Sequence, residues 1–313
     1  MMSLPAVQAI SERFPDNKIY LIIKNEYADL ISLMPSIDGI IPFNKNEIKG
    51  LNGLWHFGKK IKAEINPKIF FVLPDSFSSA FMAYATGAKI SIGYTGQFRN
   101  ILLSNKYKKP NGSHRAAEYL FLLEKFTLQQ INLPAFQLSK SENIKSTRRK
   151  ILLNINSEAQ SRRLPISLAN EILTVLLEND INDIYLTGSP KDTVHTKQLA
   201  PELLNHPRVI NTTGKTTLNE LFTLISTMDA AISSDSGIAH VTNAFNIPLI
   251  VLFGAGNEYN TSPVNTAHLI IYRLTGIQCA PCLKNTCRFG QPFCLGDMRG
   301  REIVAMLDQN FNA

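Results

Sequence analysis

Short apolar runs alternate with helix-like segments along the whole chain, and this alternation limits the possible folds more than any other feature. The runs at 19–23, 68–73, 184–187 and 247–253 are compact, and the segments between them carry apolar residues at helical spacing. Continuous apolar runs of this length are typical of parallel strands that are buried on both faces. The order of strand, helix and strand therefore predicts an α/β fold with mostly parallel, doubly wound sheets.

The alternation occurs twice, and the polar segment 139–150 separates the two series. A chain of 313 residues is too long for one ordinary core and is comfortable for two. We therefore predict two domains, residues 1–146 and residues 147–313, as two Rossmann-like halves that face a cleft. The segment 104–113 is polar and contains Pro110 and Gly112, so we predict a loop there.

The first series lacks a leading strand. A doubly wound domain normally begins with a strand that lies in the middle of its sheet. The second series has such a strand at 151–154, whereas the first opens on a helix at 3–14. We expect the first domain to contain two sheet fragments with unpaired edges, and the chain to be truncated or its start assigned too late.

Charge and hydropathy exclude several classes of protein. The net charge is +7, and basic residues cluster at 106–109 and 145–150. Such clusters are solvated surface or attract a polyanion or an anionic membrane. We expect no nucleic-acid partner, because the sequence lacks a zinc-finger helix, an RNP-type motif and a long basic arm. It also lacks a membrane-spanning apolar stretch and signal-peptide features, so we expect a cytoplasmic location.

All four cysteines lie within 16 residues, at Cys279, Cys282, Cys287 and Cys294. In a reducing compartment such a cluster indicates a structural zinc or iron site more than disulfides. The alternative is four reduced thiols in a loop. The six histidines show no metal-binding spacing.

The loop after the apolar run 230–232 has the chemistry of an anion site. Gly237 allows close backbone approach, and the amides of the helix that follows point outward. Asp235 could accept a sugar hydroxyl or cap that helix, Ser236 could donate to a phosphate, and His240 follows one turn later. The alternative is ordinary turn chemistry with a structural histidine.

Two further loops follow strands of the second series. The first contains Ser157 and Arg162, and the arginine could neutralise charge on a departing phosphate. The second contains Gly188 and could line a base or ribose pocket. Each loop could instead be a solvated turn. The sequence has no Walker loop, GxGxxG, GxSxG or HExxH motif.

Several stretches occur in the order seen in one family. They are 3–10, 73–80, 87–99, 235–240 and the Cys-x-Pro-Cys at 279–282. With these stretches the chain resembles glycosyltransferase family 9, the bacterial lipopolysaccharide heptosyltransferases, of the heptosyltransferase II type. The resemblance covers nearly the whole chain and starts just past the family's first strand.

The resemblance implies a GT-B fold with an N-terminal acceptor domain and a C-terminal donor domain. It implies transfer of a heptose from ADP-heptose to the inner core of lipopolysaccharide, with inversion and without a cofactor or catalytic metal. The partners would be ADP-heptose and a lipid A-linked core acceptor, with peripheral contact at the cytoplasmic face of the inner membrane. The implied site residues are Ser157 and Arg162 in catalysis, Asp235, Ser236, Gly237, His240 and Gly188 for the donor, and Ser76, Ser79 and Arg99 for the acceptor.

The chain departs from the family pattern in three places. The family's general base follows its first strand, so it is expected upstream of Met1. Asn156 stands where the family often has Gly, and Leu164 where it often has Trp. An inverting displacement needs a base for the acceptor hydroxyl. The alternative function is therefore a catalytically inactive nucleotide-sugar-binding protein. A GT-B epimerase would need further acid-base residues, which the sequence does not show.

Overall fold

A computed structural model of the chain describes residues 1–28, 37–134, 136–138 and 147–311. Most of the predicted linker lies outside these residues. The chain divides into two compact units, residues 2–134 and residues 135–313, which we call the N-terminal and C-terminal units. Among the described residues, no helix has the length and apolar character to cross a bilayer.

The C-terminal unit begins before the predicted position at 147. The Leu138 N–H donates to the Ala244 carbonyl at 2.7 Å. The Asn265 side-chain amide donates to the Phe136 carbonyl at 2.9 Å. These backbone groups find their partners within the C-terminal unit, so the chain joins it ahead of the charged segment that suggested the boundary.

The N-terminal unit alternates strands and helices as the sequence predicts. Its described elements are α1 (Leu4–Arg13), β1 (Tyr20–Lys24), β2 (Gly39–Phe43), α2 (Gly50–Glu64), β3 (Ile69–Val72), α3 (Phe77–Thr86), β4 (Ile90–Tyr94), a 3-10 turn (Arg99–Ile101), β5 (Asn105–Tyr107) and α4 (Arg115–Thr127). The loop predicted at 104–113 is wrong in part, because β5 pairs with β4 there. A three-residue polar strand has too little apolar periodicity for sequence analysis to detect.

The sheet of the N-terminal unit is divided, as predicted. Within residues 1–28 and 37–134, β1 pairs only with β2, and β3, β4 and β5 form a separate sheet. Helices α1 and α4 pack on the face that carries Phe71, whereas α3 packs on the face that carries Val72. Strands β1 and β3 are each paired on one side only, and most of their residues are only half-buried.

The C-terminal unit has one continuous sheet. Its elements are β6 (Arg149–Asn154), α5 (Ile166–Glu178), β7 (Asn182–Leu186), α6 (Thr193–Thr196), α7 (Pro201–Leu204), β8 (Val209–Asn211), α8 (Leu218–Ser226), β9 (Ala230–Ser234), α9 (Gly237–Ala244), β10 (Leu249–Leu252), α10 (Glu258–Thr261), β11 (Leu269–Tyr272), α11 (Phe293–Gly296) and α12 (Gly300–Phe311). The strands are parallel in the order β11-β10-β9-β6-β7-β8. The strands of the N-terminal unit follow the same order: β5-β4-β3 corresponds to β11-β10-β9, and β1-β2 corresponds to β7-β8. The described residues contain no counterpart of the central strand β6.

The core of the C-terminal unit explains why its central strands are apolar. Every residue of β9 is buried, and β6 is buried from Ile151 to Asn154. Helix α5 covers them with Leu168, Ile172 and other apolar residues, and α12 packs against α5. Both faces of these strands are covered, so polar residues become tolerable only where the strands end.

Candidate donor site in the C-terminal unit

The two central strands of the C-terminal sheet end side by side in polar residues. Asn154 at the end of β6 lies opposite Ser233 in β9. The loops that follow carry Ser157 on one side and Asp235 on the other. Ligands of open parallel sheets bind beyond the carboxyl ends of the strands, so this edge is the candidate site.

Asn154 connects the two strand ends. Its side-chain amide nitrogen is 2.8 Å from the Ser236 hydroxyl and 3.0 Å from the Ser233 hydroxyl. The Ser234 hydroxyl donates to the Asn156 carbonyl at 2.6 Å. Asn154, Ser233 and Ser234 are completely buried, and this bonding holds both loops in one arrangement. Sequence reasoning missed these three residues, although polar side chains at the end of an apolar run are a detectable signal.

Asp235 and Arg162 form a partly buried ion pair. The Asp235 Oδ2 atom is 3.4 Å from the Arg162 Nη1 atom. Asp235 is 4% exposed, and its Oδ2 atom accepts no hydrogen bond from any described residue. Burial raises the pKa of the Asp235 carboxyl, and the positive charge of Arg162 opposes that rise. A buried carboxylate oxygen without a donor is costly in a native protein, and such atoms are common at functional sites.

Ser157 lies in the same cluster. Its hydroxyl donates to the Asp235 carbonyl at 3.1 Å. The Arg163 guanidinium donates to the Ser157 carbonyl at 2.8 Å, which fixes the loop from the other side. The structure therefore brings together Ser157, Arg162 and Asp235, which the sequence selected on separate loops.

The amino end of α9 is open. The residue before it, Ser236, makes no side-chain cap, and a Cβ added at Gly237 would meet no atom within 4 Å. The amide N–H groups of the first turn, which bear partial positive charge, therefore point into open space. His240 is half-buried one turn further along the helix. This arrangement suits an anion such as a diphosphate.

Two glycines near the site are required for packing. A Cβ at Gly256, after β10, would overlap the Asp235 Oδ2 atom. A Cβ at Gly188, after β7, would lie 2.7 Å from the Asn156 amide nitrogen. Gly188 was selected as a lining residue for the donor, and the structure places it against Asn156 and Asp192. Gly256 was missed, because nothing in its local sequence reveals the close approach.

The predicted acceptor residues lie in the N-terminal unit, around the start of α3. Ser76 is the N-cap of α3, and its hydroxyl accepts from the Ser79 N–H. Arg99 is completely buried, and its guanidinium donates to the backbone carbonyls of Tyr94 and Pro74. Arg99 therefore positions this loop, where the sequence had suggested a direct acceptor contact.

Paired charges surround that loop, and its two basic side chains are partly exposed. The Lys109 ammonium lies 2.6 Å from Asp75 and 3.1 Å from Glu118. Arg115 lies 3.3 Å from Glu118. The side chains of Lys109 and Arg115 are 31% and 41% exposed, so both remain accessible to an anionic ligand.

The four cysteines of the loop 279–294 are free thiols, and Cys294 is buried. Burial, with the neighbouring Cys279, Cys282 and Cys287, raises the pKa of the Cys294 thiol to about 11. Within the described part of the chain, no three Cys, His, Asp or Glu side chains are arranged to hold a metal ion. The four cysteines of this loop therefore do not form a tetrahedral ligand set in this structure, and the zinc or iron site stays a prediction.

Comparisons with known proteins agree with the family resemblance and with the fold. The family model described as Glycosyltransferase family 9 (heptosyltransferase) matches residues 55–292. Lipopolysaccharide core heptosyltransferase OpsX of Haemophilus influenzae is 24% identical over 285 residues, covering 86% of this chain and 79% of that protein. Lipopolysaccharide heptosyltransferase 2 of Escherichia coli is 25% identical over 302 residues, covering 88% of this chain and 85% of that protein.

Solved structures show the same architecture. The structure of E. coli ADP-heptose lps heptosyltransferase II matches with a TM-score of 0.84 at 22% identity, covering 99% of this chain and 94% of that one. At this level of identity the match establishes the fold. It confirms the GT-B class that the family resemblance implied.

Proposed function

Because the chain belongs to glycosyltransferase family 9, the heptosyltransferases, we propose that it transfers a heptose from ADP-heptose to the inner core of lipopolysaccharide. The reaction inverts the anomeric carbon and uses no catalytic metal. The acceptor hydroxyl oxygen bonds to that carbon, the bond from carbon to phosphate oxygen breaks, ADP leaves, and a base takes the hydroxyl proton. The nucleotide donor and the lipid-anchored acceptor place the enzyme in the cytoplasm, in peripheral contact with the inner membrane.

One observation supports the donor site most strongly. The uncapped amino end of α9 opens at Gly237, beside a buried carboxylate oxygen of Asp235 that lacks a hydrogen-bond donor. A nucleotide diphosphate supplies negative charge for the helix end, and a sugar hydroxyl supplies the donor that Asp235 lacks. Arg162, 29% exposed and 3.4 Å from Asp235, stabilises the charge that develops on the leaving phosphate.

The acceptor belongs to the N-terminal unit in this proposal. Ser76 and Ser79 offer hydroxyls at the start of α3, and the buried Arg99 positions their loop by donating to the Ser76 carbonyl. Lys109 and Arg115 supply accessible positive charge for phosphate groups of the core. The base is the one part of this chemistry that we assign to no described residue.

The test separates binding from transfer. Calorimetry with ADP-heptose measures donor binding, and mass spectrometry of truncated lipopolysaccharide measures transfer with and without a chelator. Binding together with chelator-insensitive transfer supports the full proposal, and the anomeric configuration of the product reports inversion. Binding without transfer supports the alternative, an inactive nucleotide-sugar-binding protein. Absence of binding rejects the donor site.

A further inference from the structure

An aromatic surface lies on the outer side of helices α2 and α3. It consists of Leu51 and Trp55 on α2 and of Phe77, Phe81 and Tyr84 on α3, and we call it the aromatic face. Leu51 and Tyr84 are 55% and 53% exposed, and Trp55 is 38% exposed. The Trp55 ring lies 6.2 Å from Phe81 and 6.4 Å from Tyr84, measured between centroids. Phe77 stacks on Phe81 at 6.0 Å, so the four aromatic rings are contiguous, and Leu51 lies one helical turn before Trp55.

Only part of this surface contributes to the core of the unit, because Phe81 packs against that core. Helix α2 buries Leu54, Phe57 and Ile61 on its inner side. The two helices approach closely at Gly58, where an added Cβ would lie 2.5 Å from the Ala85 Cβ. Leu51, Trp55 and Tyr84 are exposed and are not among the residues packed against this core, so their exposure needs another explanation.

A neighbouring turn presents two more apolar side chains. Phe98 and Ile101 flank the buried Arg99 in the 3-10 turn and are 93% and 87% exposed. Arg99 ties this turn to the start of α3 by donating to the Pro74 and Ser76 carbonyls, at 2.6 Å and 3.4 Å. The buried Arg99 side chain therefore anchors the turn, and Phe98 and Ile101 remain exposed to solvent.

The positive charge of the chain is concentrated in the same segment. Residues 49–109 contain ten Lys and Arg residues and only two acids, Glu64 and Asp75. The segment thus has a net charge of +8, whereas the whole chain has +7. The Lys59 ammonium lies 4.4 Å above the Trp55 ring, so charge and aromatic surface meet directly.

We propose that the aromatic face and the turn at Phe98 and Ile101 dock the protein on an anionic lipid bilayer. Aromatic and aliphatic side chains rimmed by lysines are the pattern of surfaces that enter the headgroup region of anionic membranes. The concentration of charge favours a bilayer over a second copy of this chain, because two copies would bring like charges together. This inference stands whether or not the chain transfers a heptose.

The protein carries its own reporter for the test, because Trp55 is its single tryptophan. Full-length protein is mixed with vesicles of phosphatidylcholine, with or without phosphatidylglycerol, and binding is measured by sedimentation and Trp55 emission. We expect binding and a blue shift only with phosphatidylglycerol, quenching of Trp55 by brominated lipid, and loss of binding at high salt.

Paired variants test the two components. Phe98→Ser with Ile101→Ser should weaken vesicle binding roughly tenfold or more, because two exposed apolar groups no longer enter the bilayer. Lys59→Gln with Lys60→Gln should weaken it roughly 25-fold, about fivefold for each lysine near an anionic surface. The matched controls, Lys197→Gln with Lys215→Gln in the C-terminal unit, should bind as wild type.

Four outcomes would overturn the proposal. They are absence of vesicle binding, equal binding to neutral vesicles, binding that these variants do not weaken, and binding in which brominated lipid leaves Trp55 unquenched. Sedimentation velocity without lipid gives a further check. A dimer that the Phe98 and Ile101 changes dissociate would assign the face to a second copy instead.

Discussion

Replacing Asp235 by Asn should stabilise the C-terminal unit and weaken donor binding at the same time. The wild-type carboxylate is 4% exposed, and its Oδ2 atom has no hydrogen-bond donor among the described residues. Leaving a buried polar oxygen in that state costs about 1–3 kcal/mol, and a charged oxygen costs more. The ion pair with Arg162 offsets part of this cost, but that guanidinium is 29% exposed and partly screened by water.

We therefore expect Asp235→Asn to raise the free energy of unfolding at neutral pH by about 1 kcal/mol, or the melting temperature by about 2–4 °C for a unit of this size. The pH dependence follows from the raised pKa of Asp235. The folded state holds this proton more tightly than the unfolded state, so wild-type stability falls as the pH rises through the folded pKa. The advantage of the Asn variant should accordingly disappear toward acid pH, where wild-type Asp235 is protonated.

Donor binding should change in the opposite direction. A hydrogen bond between a carboxylate and a sugar hydroxyl contributes about 1.5–3 kcal/mol, so ADP-heptose should bind the Asn variant about 10- to 100-fold more weakly. Differential scanning calorimetry and isothermal titration measure the two effects. The control Asp180→Asn, whose side chain is 96% exposed, should change neither by much. A variant that loses stability at neutral pH, or that binds donor as wild type does, would refute the reasoning.

Two other predictions follow from the packing and a third from the cysteine spacing. Gly237→Ala should leave unfolding unchanged but weaken ADP binding, because the added methyl enters open space at the helix end, whereas Gly188→Ala should lower the melting temperature by clashing with Asn156. Arg99→Ala should destabilise the N-terminal unit by about 3 kcal/mol in urea unfolding, and a lysine should not rescue it, since one ammonium cannot reach all the carbonyls. A metal at the four cysteines is instead expected from their spacing alone: elemental analysis of the purified protein should find about one zinc or iron per chain, and no metal together with four titratable thiols in the native protein would reject that site.

Much of the fold was predictable because each strand is a local pattern. The predicted helix at 3–14 contains α1, and the apolar run at 68–73 contains β3. The divided sheet was also predictable, since a doubly wound order without a leading strand leaves two fragments. The strand β5 was not, because three residues at a sheet edge carry no periodic signal.

The candidate site was only partly predictable. Ser157, Arg162 and Asp235 could be selected because they follow strands, and the carboxyl ends of parallel strands share one edge of the sheet. The role of Asn154 as a link and the approach of Gly256 to Asp235 could not be. Arg99 illustrates the same limit, since an arginine in a loop is ordinarily exposed and this one is completely buried.

The sequence by itself determined the strands, the helices, their order and the loops that carry polar chemistry, because apolar spacing is a property of neighbouring residues. Tertiary structure alone decided which of those polar groups are buried, which are paired, and where an added methyl has room. Burial and hydrogen-bond partners come from segments far apart in the chain, and their distances exist only once the sheet has assembled.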